Sequence, residues 1–226
     1  MIVSITEIWR GLLDFFDLGG PVVLILVVLS IVSLTLILFK LVQFNHLGLG
    51  QHTLILAALR ELDAQRNEDA IQLVKNSKSH LAPLLKVAAL TPSTQHHSEA
   101  LRARLTGQAE QLMARLQTGF RFLDVVAQIA PLLGLFGTVL GMIVAFQSLQ
   151  EAGANVDPAA LAGGIWVALL TTAVGLAVAM PAALVLTWFE SRVAREGQLA
   201  MQIIDVALCR GLGQHSENGL LVTEEP

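Results

Sequence analysis

LGGPVVLILVVLSIVSLTLILF, residues 18–39, is 22 residues without a charge. A helix rises about 1.5 Å per residue, so this run reaches about 33 Å, enough to cross the roughly 30 Å hydrocarbon core of a bilayer. Two more uncharged runs follow, Val125–Gln150 between Asp124 and Glu151, and Pro158–Phe189 between Asp157 and Glu190. The last has 32 residues, more than the roughly 20 a bilayer needs, so part of it lies outside the hydrocarbon. Composition agrees: of 226 residues 54% are hydrophobic and 14% charged, against about 25% charged in a soluble domain. The mean hydropathy is +0.65. The fold class read from this is an all-α integral membrane protein with three transmembrane helices, two of them extended into a helical cytoplasmic region.

The first run differs from a signal peptide in its flank, which is acidic at Glu7, Asp14 and Asp17, and in lacking an A-x-A site after it. Positive charge sets the orientation. Arg10 alone precedes the first span, the hairpin from Glu151 to Ala162 has no Lys or Arg, and 13 of the 14 basic residues fall on the other side. That side is expected to be the cytoplasm, with the N-terminus and the short 150–162 loop facing out, which in an inner membrane is the periplasm, and the C-terminus cytoplasmic. The expected order is a periplasmic amphipathic helix (1–17), a first span (18–40), a cytoplasmic helical region (41–124), a second span (125–150), a periplasmic loop (151–162), a third span (163–189), a cytoplasmic helix (190–212) and a disordered tail (213–226).

Within the cytoplasmic region Leu101, Leu105, Ala109, Leu112, Leu116 and Phe120 recur at spacings of four and three, one apolar stripe on a polar helix. No Gly-Pro pair separates it from Val125, so this helix is expected to run unbroken into the second span. Leu199, Ile203, Val206 and Cys209 or Arg210 would continue the third span likewise. Pro83, Pro92 and Thr91–Ser98 mark turns. These helices either pack on one another or offer a docking surface to other subunits. At the N-terminus Ile5, Trp9, Leu12 and Phe16 share one face, suited to the membrane interface.

Several functions are excluded. A net charge of −4 argues against nucleic acid as a partner. One cysteine, Cys209, rules out a disulfide framework. The six histidines are scattered and the pair His96-His97 diverges on a helix, which does not suit metal chelation. There is no G-x-x-x-x-G-K-[ST] and no nucleophile motif, so neither an enzyme nor a cofactor is expected.

The span interiors hold no Asp, Glu, Lys, Arg or His. An ion crossing hydrocarbon needs such a group partway, so if the chain conducts, another chain must supply it. The second and third spans carry small residues instead: Gly134, Gly137 and Gly141 in one, Ala168, Gly175 and Ala179 in the other. Such spacing favours close helix packing. Thr138, Thr171 and Thr172 either bond back to their own helix carbonyls or line a polar path. The first span, mostly Leu, Ile and Val, is expected to face lipid.

APLLGLFGTVLGMIVAFQ (130–147) and GGIWVALLTTAVGLAVAMPA (163–182) resemble the MotA/TolQ/ExbB proton-channel family, in the layout of its ExbB and TolQ branch. The resemblance implies a homopentamer lined by the third and second helices. Around these would sit lipid, and inside them a dimer of single-span ExbD-like or TolR-like partners, each with a transmembrane Asp. Proton passage would then drive mechanical work for outer-membrane transport or envelope maintenance. Thr138 matches the Thr of the family's G-T-V/I-x-G motif and Thr172 that of A-L-x-x-T-A-x-G-L, so both hydroxyls would face the partner's Asp. Thr171 lies about 100° away on the helix. Pro131 and Pro181 also match, as helix-packing features. Val167 departs: typical relatives carry Glu there, five residues before the Thr, so any step assigned to that Glu, and the choice of H+ over Na+, stays open. A different class, a non-conducting membrane scaffold holding a partner protein, remains the alternative.

Overall fold

The computed structural model describes residues 5–50, 52–77, 79–91, 98–152 and 157–209, with side chains from residue 20 on except at Ser98 and Ala160. Among them are seven helices and no strand: α1 (Ile5–His46), α2 (Thr53–Asp63), α3 (Asn67–Lys75), α4 (Ala82–Leu90), α5 (Ser98–Gln117), α6 (Phe120–Ala152) and α7 (Pro158–Leu208). The apolar face expected at Ile5, Trp9, Leu12 and Phe16, the pair His96-His97 and the tail 213–226 lie outside what is described. The chain divides into two compact units, residues 1–39 with 119–188, and residues 40–118 with 189–226.

The first unit holds three helices long and apolar enough to cross a membrane. α6 has 33 residues and α7 has 51, or about 50 and 77 Å, so both extend beyond the roughly 30 Å of hydrocarbon. The charges that begin with Glu190 place the end of the third uncharged run at Phe189. α1 is two helices joined at Gly20, whose φ of 63° and ψ of −165° belong to a region open essentially to glycine. Beyond that break Val22 and Leu26 pack on Ala130 of α6 and Ala179 of α7. The rest of α1 is exposed at Leu24, Val28, Ile31, Leu34 and Leu38, a continuous apolar surface.

The second unit is a helical core in which each helix contributes one stripe. Ile55, Ala58 and Leu62 come from α2, Ala70 and Val74 from α3, Leu84, Leu85 and Ala88 from α4, Leu101, Leu105 and Ala109 from α5, and Ala200, Ile203, Ile204 and Ala207 from α7. Phe44 meets Phe189 edge to face with ring centroids 5.1 Å apart. The buried Lys40 ammonium donates to the Leu116 carbonyl at 3.1 Å, supplying a partner for a last-turn carbonyl of α5.

Three expectations need correction. α5 does not run unbroken into α6: Thr118 and Gly119 form a turn, with Gly119 at φ 88°, a left-handed stop that glycine alone provides without strain. Leu116 before the turn and Phe120 after it are each buried. Pro83 lies in the first turn of α4, where its missing N–H costs nothing. Cys209 is exposed, and the buried face of α7 runs instead through Val193, Glu196, Ala200, Ile203 and Ala207.

Candidate functional site

The site is built on the seam between α6 and α7. A Cβ added at Gly134 would lie 2.9 Å from the Thr171 carbonyl oxygen and 3.0 Å from Thr172 Cα, and one at Gly175 would lie 2.5 Å from the Ala130 carbonyl oxygen. Gly137 in the same sense meets Thr171, Gly141 meets Ala168, and Gly164 meets Ala145. The facing numbers add to between 305 and 309, the register of an antiparallel pair. At these points the backbones approach as closely as bare Cα atoms permit, as small-residue spacing in a membrane helix allows.

Thr171 lies inside this seam, 2% exposed. Its hydroxyl donates to the Ala168 carbonyl at 2.7 Å and sits 3.1 Å from the Gly134 carbonyl of the facing helix, so its one proton ties α7 to itself and to α6. Thr138 is half-buried and donates to the Leu135 carbonyl at 2.6 Å. It borders a shallow groove along α6 with Met142, Phe146 and Gln147. Thr172 differs from both: its hydroxyl is buried and has no hydrogen-bond partner.

Helix geometry relates these residues. At about 100° per residue, Thr138 and Thr172 each stand about 70° from the centre of their helix's seam, displaced in the direction of increasing residue number. Two right-handed helices running antiparallel send that displacement to the same flank. Thr138 and Thr172 therefore share one level and one side of the α6–α7 pair. Val167 is displaced about 70° the opposite way. It lines a mainly apolar cavity of about 490 Å³ with Gly20, Pro21 and Val22 of α1 and Gly137, Gly141 and Thr171 of the seam. Val167 thus lies on the α1 side, away from the hydroxyl flank.

Pro131 and Pro181 stand inside α6 and α7. Each lacks the N–H that would bond the carbonyl four residues earlier, at Ala127 and Ala177.

One cluster was missed by sequence reasoning altogether. In the second unit Glu196 is 2% exposed, with the imidazole of His52 3.4 Å from one carboxylate oxygen and that of His80 3.8 Å from the other. The Gly50 N–H donates to the first oxygen at 3.1 Å. Burial raises the Glu196 pKa against the opposing pull of His52, Gly50 and Arg192. Burial pushes His80 down to about 4, and the neighbouring His52 adds to the shift. No three His, Cys, Asp or Glu groups among the described residues are placed to hold a metal.

Residues 56–201 match the MotA/TolQ/ExbB proton channel family. The chain belongs to this family. The match takes in most of α2, all of α3 to α6 and the seam-bearing part of α7. Among similar family proteins, the putative biopolymer transport protein ExbB-like 1 of Synechocystis sp. is 33% identical over 178 residues, covering 77% of this chain and 68% of that protein. The biopolymer transport protein exbB1 of Vibrio cholerae is 28% identical, covering 73% of this chain and 74% of that one. A putative biopolymer transport protein ExbB homolog of Methanothermobacter thermautotrophicus is 30% identical across 74% of this chain, and the match spans 59% of that relative's length.

Proposed function

We propose that the chain is the channel-wall subunit of a proton-driven energising complex of the inner membrane. Five copies would surround two single-span ExbD-like or TolR-like partners, with the N-terminus periplasmic and the second unit cytoplasmic. The charge asymmetry supports that orientation, since 13 of 14 basic residues lie on one side. The energy of the proton gradient would be passed through the partners to biopolymer transport across the envelope, or to its maintenance.

The observation that carries this reading is the hydroxyl flank. Leaving a buried hydroxyl unbonded costs about 1–3 kcal/mol, so the unpartnered Thr172 hydroxyl supports a reading in which a group from another chain becomes its partner. The same chain has no ionisable side chain within its span interiors, and a proton path through hydrocarbon requires one. A transmembrane carboxylate from a partner answers both. Thr138, on the same flank, would have its hydroxyl turned from the Leu135 carbonyl toward that carboxylate or a water on it. Thr171, within the seam, would fix the distance between the helices. Gly134, Gly137, Gly141 and Gly175 would keep the wall thin, and Pro131 and Pro181 would shape the helix axes.

Two measurements test this. The native mass in mild detergent should equal five chains of 24.2 kDa plus two small partners. Vesicles carrying chain and partner should dissipate a proton gradient, and Thr172→Val should stop the flux without changing the mass. A monomer or dimer in several mild detergents, or flux untouched by the substitution, would refute the reading and leave the scaffold.

A further inference from the structure

The Glu196 cluster joins three separate parts of the chain. Gly50 and His52 come from the segment entering α2, His80 from the turn before α4, and Glu196 from α7. The Glu196 and His80 side chains are 3% and 4% exposed, that of His52 25%. Neither ring nitrogen of His80, nor the second carboxylate oxygen of Glu196, has a hydrogen-bond partner. The other charge facing this carboxylate is Arg192, one turn earlier on α7. From α5, Met113 faces Gly197, with Glu110 at the rim of the same groove. One carboxyl group thus stands among His52, His80 and Arg192, with its second oxygen closed off from water.

We propose that His52, His80 and Glu196 form a proton-binding latch, which holds the α4 turn and the segment entering α2 on α7 while His80 is uncharged and releases them when His80 takes up a proton. A charged His80 would be a further cation beside Arg192 and His52, with a single carboxylate to share. It would also stand just before the N-terminus of α4, where the helix dipole opposes positive charge. Released to solvent, the same ring regains ordinary basicity, so acid favours release.

The expected size follows from linkage. His80 titrates at about 4 when latched and at 6.5 when free, so the released form binds more protons and latching weakens as pH falls from about 6.5 toward 4. Taken alone, His80 lowers the latched-to-released ratio about tenfold at pH 5.5 and hardly at all at pH 7.5; Glu196, whose pKa burial raises, binds its proton more readily when latched and offsets part of that fall.

The test is hydrogen exchange on the full-length chain in lipid nanodiscs at pH 7.5 and 5.5, corrected for intrinsic exchange rates. Peptides covering 79–90 and 196–208 should lose up to about tenfold in protection at the lower pH, and His80→Gln should remove that response. A carbon-13 titration of the His80 ring in the unmodified chain covers the case in which the variant does not fold, and should show it neutral until protection is lost. Equal protection at both pH values, an undiminished response in His80→Gln, or a ring that titrates near 6.5 with protection intact would overturn the proposal. None of these readouts requires the chain to conduct, so a failed flux assay bears on the proposed function and not on the latch.

Discussion

Replacing Gly175 by Ala adds one methyl group at the tightest point of the α6–α7 seam. The new Cβ would stand 2.5 Å from the Ala130 carbonyl oxygen, where ordinary contact begins at 3.4 Å, so the helices must part locally by about 0.9 Å. The obstructing atom is a backbone oxygen inside α6 and cannot rotate aside as a side chain would. Overpacking of this kind costs about 1–3 kcal/mol, here toward the upper end. Alanine returns up to about 1 kcal/mol through helix propensity, leaving a net loss of about 2 kcal/mol, or about 30-fold in the folded-to-unfolded ratio. Gly107 on α5 supplies the control, because a Cβ there meets nothing within 4 Å. Gly107→Ala should gain about 0.5–1 kcal/mol. Reversible unfolding in mixed micelles of mild detergent and dodecyl sulfate measures both. If Gly175→Ala is as stable as the unmodified chain, or moves with Gly107→Ala, the seam is not the close backbone contact described.

Thr171→Val should lose about 0.5–1.5 kcal/mol in the same assay by removing the bond to the Gly134 carbonyl, whereas Thr172→Val should leave stability unchanged or slightly higher and act on flux alone. The reverse pattern would exchange the two roles. Gly20→Ala should cost about 1–3 kcal/mol although space is open around it, because φ 63° with ψ −165° excludes a side chain. An unaltered melting temperature would show that α1 accommodates another bend.

The spans were legible because hydrocarbon thickness imposes a length that an uncharged run either reaches or does not. The seam could be anticipated too, since Gly134, Gly137 and Gly141 repeat with the helix period. Which threonine belongs in it could not: Thr171 and Thr172 are neighbours in sequence, about 100° apart on the helix, and only the approach of α6 separates the bonded hydroxyl from the unbonded one. Gly119 had a readable signal, a lone glycine after the polar Gln117 and Thr118, which needed no proline beside it to stop a helix. The Glu196 cluster had none. Its members lie 28 and 116 residues apart in sequence, and a Glu among Arg192, Arg195 and Glu190 reads as one more solvated charge until the core closes over it.

The glycine seam also constrains how this chain can change over generations. Every single-base change that alters a glycine codon's residue enlarges the side chain, so Gly134, Gly137, Gly141 and Gly175, each with an added Cβ under 3.0 Å from its neighbour, have no smaller residue to drift through. Leu132, Leu135 and Phe136, exposed on the same helix, can exchange among apolar residues freely. A saturation library should therefore show four nearly invariant columns set at helical intervals among permissive ones. A revertant of any seam variant should carry its second change on the facing helix, at the position whose number completes the same sum.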